Sequence, residues 1–304
     1  MMKVGIIGVN GFIGLNLYNK LILNQSIDLH TFSRSKGKTT FKNFNFLDVK
    51  DFSEKKQILE KLDLIYYLVS STIPSSSWET PLLEINDNLI PFLKLLDIIS
   101  VGKCKKIIFI SSAGAIYGDS ENVLDETKLP NPFSPYGINK LTMEYYLNYY
   151  LKKYNLNYDC YRLSNVYGPG QEIKKGLGLI NTLIEKSINN EDIEIYGKGL
   201  NIRNFIYIDD VIEIISNLSF QDLNQSNTIN ICSNDNVSIR SIIKIIEQVS
   251  NSKLSVNYFK ERQSDILKVV LSNEALKRKI SNITFTKLEI GIEKIYLNLK
   301  AEKK

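Results

Sequence analysis

The 304-residue chain has one histidine, one tryptophan and three cysteines. With so little histidine, a His-rich metal centre is excluded, and no metal site is expected. The single His30 falls in a predicted strand and reads as structural. Cys104, Cys160 and Cys232 are far apart, odd in number and without metal-ligand spacing. That excludes a disulfide framework and fits reduced thiols in a cytoplasmic protein. No apolar run reaches the ~18 residues that a membrane span needs. The opening apolar stretch is broken by Gly5, Gly8, Asn10 and Gly11, so neither a membrane anchor nor a signal peptide is expected. A one-sign charge block is missing as well. The 38 basic and 33 acidic residues are interspersed and net +5. Such a balance argues against a nucleic-acid surface and suits a phosphorylated small molecule. Internal repeats and low-complexity stretches are also missing.

What is present is apolar material for a core, 43% of the chain, arranged in a repeating pattern. Short apolar runs at Val4–Ile7, Ile27–Phe32, Phe44–Leu47, Leu62–Val69, Lys106–Ile110 and Tyr158–Leu163 read as buried strands. Helical spacing follows the first run and recurs over Leu82–Ile99 and Gly137–Leu151, while Ser70–Ser77 reads as a Ser-rich loop. Strands alternating with helices predict an α/β fold, a Rossmann-type doubly wound parallel sheet. This domain is placed at residues 1–166. Residues 167–304 read as a smaller C-terminal substrate-capping domain, partly interleaved, with some segments returning to the sheet. Its helical stretches are Leu179–Ile188 and Ile239–Val249.

Two motifs carry chemistry. Gly8, Gly11 and Gly14 follow the first strand and open a helix, the setting of a dinucleotide-phosphate cradle. The glycines allow a tight turn and close backbone approach. The amides around Phe12 and Ile13 at the helix N-terminus favour an anion. The second strand ends in Ser33-Arg34-Ser35 where an acid would select the ribose 2′-hydroxyl of NAD. The cofactor is therefore expected to be NAD or NADP, with Arg34 leaning toward a 2′-phosphate. Asp48, ending the third strand, reads either as an adenine contact or as a turn aspartate.

Tyr136 and Lys140 lie four residues apart on a predicted helix and share a face. A phenol near pKa ~10 is a poor base at neutral pH. An adjacent ammonium and an oxidised nicotinamide are expected to lower it.

With these motifs stand Ser111-Ser112-Ala113-Gly114-Ala115-Ile116-Tyr117-Gly118, Ser134-Pro135-Tyr136-Gly137-Ile138-Asn139-Lys140, Arg162 to Pro169 and Arg203 to Asp210. In this order they resemble the extended short-chain dehydrogenase/reductases, in particular the NAD-dependent epimerase/dehydratase family typified by UDP-glucose 4-epimerase. The resemblance implies a nucleotide-sugar substrate, Tyr136 as acid/base and Lys140 as its tuner and ribose ligand. It implies that Asn165 and Arg203 hold the nucleotide-sugar, joined by Arg262 and Asp265. It places a helix asparagine at Asn88 and implies a homodimer formed through the tyrosine-rich helix Tyr145–Tyr154. The residue near the sugar's 2-substituent falls on Val269, small enough for an N-acetyl group.

The family's catalytic Ser/Thr slot falls on Ala113, which leaves Ser112 as the nearest hydroxyl. The expected reaction is 4-epimerisation of a UDP-hexose or UDP-N-acetylhexosamine by transient C4 oxidation. The alternative is an NADPH-dependent 4-ketoreductase of a nucleotide-linked keto-sugar, which the Ser33-Arg34 pair would suit.

Overall fold

The structure is a computed structural model that describes residues 1–37, 39–173, 178–261 and 266–303. The chain divides into two compact units. Unit one comprises Met1–Ile116, Pro132–Arg162 and Ile212–Ile229; unit two comprises Tyr117–Asn131, Leu163–Val211 and Asn230–Lys304.

A seven-stranded sheet lies almost wholly in unit one. Its strands are β1 (Met2–Ile7), β2 (Ile27–Ser33), β3 (Phe44–Phe46), β4 (Leu64–Tyr67), β5 (Lys106–Ser112), β6 (Asn157–Leu163) and β7 (Asn227–Ile231). Their order is β7-β6-β5-β4-β1-β2-β3. β1 pairs in parallel with β2 and β4, and β2 with β3 and β4 with β5 likewise. All residues of β4 and β6 are buried, as expected of strands covered on both faces. The order reverses direction between β1 and β4, where doubly wound folds bind ligands. Register aligns the carboxyl ends there, with Ile7 opposite Tyr67 and Tyr67 opposite Phe109. The segments that follow, Gly8, Ser70 and Ser111-Ser112, therefore emerge side by side.

Buried charge also sits in this sheet. Lys106 (1% exposed) donates to Asp159 Oδ2 at 3.0 Å and to Asp222 O at 2.6 Å. Arg162 donates through Nη2 to Glu144 Oε2 at 2.6 Å, which fastens β6 to the helix Pro135–Tyr154. That helix contributes Met143, Leu147 and Tyr150 to one face of the core; the helix Ile90–Ser100 contributes Phe92, Leu95, Leu96 and Ile99.

Two expectations are corrected. The Ser70–Ser77 stretch is not all loop, because a short helix spans Pro74–Glu79. Pro74 sets the first helical φ, and Ile73 N donates to Ser76 Oγ at 3.1 Å, closing the turn. The stretch Leu82–Ile99 is not one regular helix. It runs as an α-turn Pro81–Glu84, a π-helical segment Ile85–Leu89 and the α-helix Ile90–Ser100. Pro91 has no N–H to continue the α-ladder. The chain instead closes a wider turn, with Ile90 N donating to Ile85 O.

Unit two holds a three-stranded sheet in the order Asn236–Ser238, Ile202–Tyr207, Asn165–Tyr167. The helices Leu179–Asn189, Ile239–Ser250 and Leu288–Glu302 pack on one another. Two of these helices, and Pro135–Tyr154 in unit one, end at a left-handed asparagine: Asn190, Asn251 and Asn155, with φ of 56°, 52° and 58°. Asparagine here takes the cap role usually filled by glycine.

Candidate active site

The turn after β1 is built by exclusion of side chains. Gly8 has φ +95°, and its N–H donates to Phe32 O at 2.9 Å. A Cβ on Gly14 would lie 2.3 Å from Gly8 O, so only glycine lets the helix Phe12–Leu21 start this close to the strand. Gly11 occupies the N-cap in extended conformation and offers no capping side chain. The first-turn amides at Phe12 and Ile13 are thus left for an outside acceptor. Asn10 braces the turn, donating through Nδ2 to Ser33 Oγ at 3.0 Å and to Ser35 Oγ at 3.2 Å. Close backbone approach and an uncapped helix N-terminus are what a dinucleotide pyrophosphate requires, so these residues fit one. Arg34 is exposed just past β2. Asp48 is exposed too, and its Oδ1 accepts from Lys50 N at 3.0 Å, the turn-aspartate arrangement.

The second half of the site grows from the start of the helix Pro135–Tyr154. Ser134 caps it, accepting from Gly137 N at 3.1 Å, and Pro135 opens it. Tyr136 N donates to Ser77 Oγ at 3.2 Å, which ties this turn to the short helix Pro74–Glu79. Gly137 permits the approach, because a Cβ there would lie 2.2 Å from Ala115 O. The Tyr136 side chain is only partly exposed, and the Ser70 and Ser112 hydroxyls lie near enough to favour its phenolate. One turn on, Lys140 is 7% exposed and donates to Ile110 O at 2.9 Å. Its Nζ lies 4.9 Å from the Phe109 ring centroid and 5.7 Å from that of Tyr136.

The electrostatics differ from the sequence expectation. The Tyr136 phenol is not lowered but pushed up to about 12. Burial is the main cause and the Glu84 charge the second, while hydrogen bonds from Ser70 and Ser112 to a phenolate pull the other way. Lys140 does not set the phenol's value here. Its own ammonium is drawn down to about 8, by burial first, with Glu84, Cys160 and Glu144 opposing.

Ala113 is fully buried and brings no hydroxyl, and Ser112 at the end of β5 is the hydroxyl of this stretch that acts on the phenol. Sequence reading missed Ser70, Ser77 and Glu84. Ser70 and Ser77 were visible only as members of a Ser-rich loop. Glu84 carried one faint sign, its position four residues before Asn88.

In unit two, Asn165 donates to Asn204 O at 2.8 Å. Arg203 donates through Nη1 to Ile202 O at 3.0 Å and through Nη2 to Ile266 O. Val269 is buried, and its N–H donates to Ile202 O at 3.1 Å. Arg262 and Asp265 lie outside the described residues.

The chain is similar to known proteins over nearly its whole length. The sequence profile of the NAD dependent epimerase/dehydratase family matches residues 4–232. The chain is similar to a UDP-glucose 4-epimerase from Thermotoga maritima solved with UDP-glucose: TM-score 0.91, 26% identity, 100% of both chains covered. It is similar to a UDP-N-acetylglucosamine 4-epimerase from Methanobrevibacter ruminantium in complex with UDP-N-acetylmuramic acid: TM-score 0.90, 26% identity, 99% of each chain covered. A UDP-glucuronic acid 4-epimerase from Bacillus cereus, in complex with UDP-glucuronic acid and NAD, matches at TM-score 0.88 and 25% identity, covering 99% of this chain and 100% of its own. That profile spans most of the chain, the glycine turn and the Tyr136–Lys140 helix included, and the chain belongs to the NAD dependent epimerase/dehydratase family.

Proposed function

We propose that this protein is a nucleotide-sugar 4-epimerase acting on a UDP-hexose or UDP-N-acetylhexosamine, with NAD as its cofactor. One observation carries the reading. A single helix N-terminus carries Tyr136 and, one turn behind it, the buried Lys140, whose Nζ lies 5.7 Å from the centroid of the Tyr136 ring, in the same unit as an uncapped glycine turn. The solved relatives act on UDP-glucose, UDP-N-acetylglucosamine and UDP-glucuronic acid. Their sugars differ at C2 and C6, whereas the epimerised carbon is C4 in each. The Bacillus cereus protein holds NAD, and the family is NAD dependent; neither favours the lean to NADP drawn from Arg34.

The chain's own residues act as follows. Gly8, Gly11 and Gly14 leave the turn open to a pyrophosphate, and the amides of Phe12 and Ile13 would hold its oxygens. NAD, when bound, supplies a two-electron acceptor and donor. Tyr136 takes the proton from the C4 hydroxyl and later returns it to the C4 oxygen on the opposite face. Ser112 donates to the phenolate while it exists. Lys140, pinned by the Ile110 carbonyl, presents its remaining N–H groups to the nicotinamide ribose. Arg203 and Asn165 are assigned to the sugar-nucleotide diphosphate, with Arg262 and Asp265 as the resemblance implies. That anchoring retains the 4-keto sugar while it turns.

No helix among the described residues is long and apolar enough to cross a membrane. The three cysteines are free thiols, in keeping with a cytoplasmic enzyme. Tyr145 and Tyr149 stand exposed on the helix Pro135–Tyr154 and are assigned to pairing with a second copy.

The test is a panel of UDP-, GDP- and dTDP-sugars with purified protein. Interconversion of C4 epimers without net change in nicotinamide absorbance is expected. Stoichiometric consumption of NADPH with a keto-sugar would establish the reductase reading instead.

A further inference from the structure

Glu84 is a carboxylate in a place with little room for charge, 3% exposed. Its Oε2 accepts from Asn88 Nδ2 and from Asn139 Nδ2, each at 3.1 Å, and its backbone oxygen accepts from Asn139 Nδ2 at 3.0 Å. Asn139 directly precedes Lys140. Asn88 carries the connection the other way. Its Oδ1 accepts from Ser71 N at 2.9 Å and Ser71 Oγ at 3.0 Å, and its Nδ2 donates to Thr72 Oγ1 at 2.9 Å. Ser70 Oγ donates to Thr72 O at 3.1 Å, which holds its hydroxyl near the Tyr136 phenol. The π-helical segment Ile85–Leu89 turns Asn88 inward to make this link. Such segments concentrate at functional sites.

The other carboxylate oxygen, Oε1, is buried with no hydrogen-bond partner among the described residues. A half-satisfied buried carboxylate costs stability. Glutamine would serve these contacts as well, since an amide oxygen accepts the same two N–H bonds. The fold's hydrogen bonds therefore do not ask for the negative charge.

We propose that Glu84 is a positioning residue of the proton-transfer site, tying the Ser70 loop to the helix of Tyr136 and Lys140 and placing a negative charge beside both. This rests on the reading of Tyr136 and Lys140 as the proton-transfer pair. After burial, Glu84 is the largest influence on each of them and favours the protonated form of each. The other groups facing Tyr136 are Ser70 and Ser112; those facing Lys140 are Cys160 and Glu144, the latter paired with Arg162. The protonated phenol is the form that returns a proton to the C4 oxygen.

The experiment compares wild type with Glu84→Gln and Glu84→Asp. Protein carrying lysine labelled with ¹³C at Cε is titrated by NMR without added cofactor, the Lys140 signal being assigned by its loss in Lys140→Arg. Removing the charge is expected to lower the Lys140 midpoint by roughly one pH unit. The rising limb of the kcat/KM pH profile should move to lower pH as well, and Glu84→Asp should restore both positions. An unmoved Lys140 midpoint and an unmoved limb, with activity reduced equally at all pH, would overturn the proposal. Should Glu84→Gln fail to fold, Glu84→Asp decides alone. Its shortened side chain should lower kcat several-fold at unchanged KM, and wild-type kcat would overturn the proposal. If Tyr136→Phe keeps wild-type epimerase activity, the functional reading itself fails, whatever Glu84 does.

Discussion

Replacing Gly137 by alanine tests whether the start of the helix Pro135–Tyr154 must lie as close to the segment after β5 as it does. The added Cβ would sit 2.2 Å from Ala115 O, about 1 Å inside the distance at which a carbon and an oxygen can pack. Both partners are stiff. The oxygen belongs to backbone, and the helix is held by Ser134 at its cap and by Ser77 on Tyr136 N. The clash must therefore be relieved by moving the helix N-terminus by on the order of 1 Å, with overpacking of roughly 1–3 kcal/mol. Tyr136 moves with it, away from Ser112 and Ser70. A misplacement of that size costs about 10²-fold in rate. Gly114→Ala is the internal control, since a Cβ there meets nothing within 4 Å. Steady-state kinetics with a UDP-sugar and thermal melts on both variants give the answer. Gly137→Ala should lose about two orders of magnitude in kcat with a modest fall in Tm, and Gly114→Ala should keep both. Equal kinetics in the two variants would refute the close-approach argument.

Tyr136→Phe removes the oxygen that moves the proton and should lower kcat by ~10²–10⁴-fold with cofactor binding retained; undiminished turnover would contradict the acid/base role. Lys106→Met strands the Asp159 carboxylate in the sheet and should destabilise by about 3–5 kcal/mol. The double variant Lys106→Met/Asp159→Leu should recover most of that loss in denaturant unfolding, and no recovery would show that the pair is not the cause. Arg34→Asp should leave NAD affinity within about threefold while weakening NADP by tenfold or more, as measured by fluorescence titration. An unchanged NADP affinity would remove Arg34 from any 2′-phosphate role.

Much of unit one was legible because its signals are local. A strand, a glycine turn and a helix lie contiguous in Val4 to Leu21, and Tyr136 with Lys140 share a helix face by simple spacing. What sequence could not supply are the links made across long stretches of chain. Ser77 meets Tyr136 from 59 residues away, and Glu84 meets Asn139 from 55. No periodicity announces either. The π-helical segment at Ile85–Leu89 hid inside an apolar helical pattern, betrayed only by Pro91. Lys106 looked like the polar start of a strand, and only its pairing with Asp159 explains its burial. The pKa of Tyr136 went astray for the same reason. Sequence showed the neighbouring ammonium but neither the burial of the phenol nor the Glu84 carboxylate, both of which raise it.

The central claim is that one phenol serves both halves of a reaction in which hydrogen leaves C4 and comes back to it. Supply the protein with a UDP-sugar carrying deuterium at C4, and follow the C4 epimer by mass spectrometry and NMR. The account predicts deuterium retained at C4 of the epimer, with no net change in nicotinamide absorbance. Deuterium washed out to solvent, or no epimer alongside steady oxidation of a reduced nicotinamide, would contradict it.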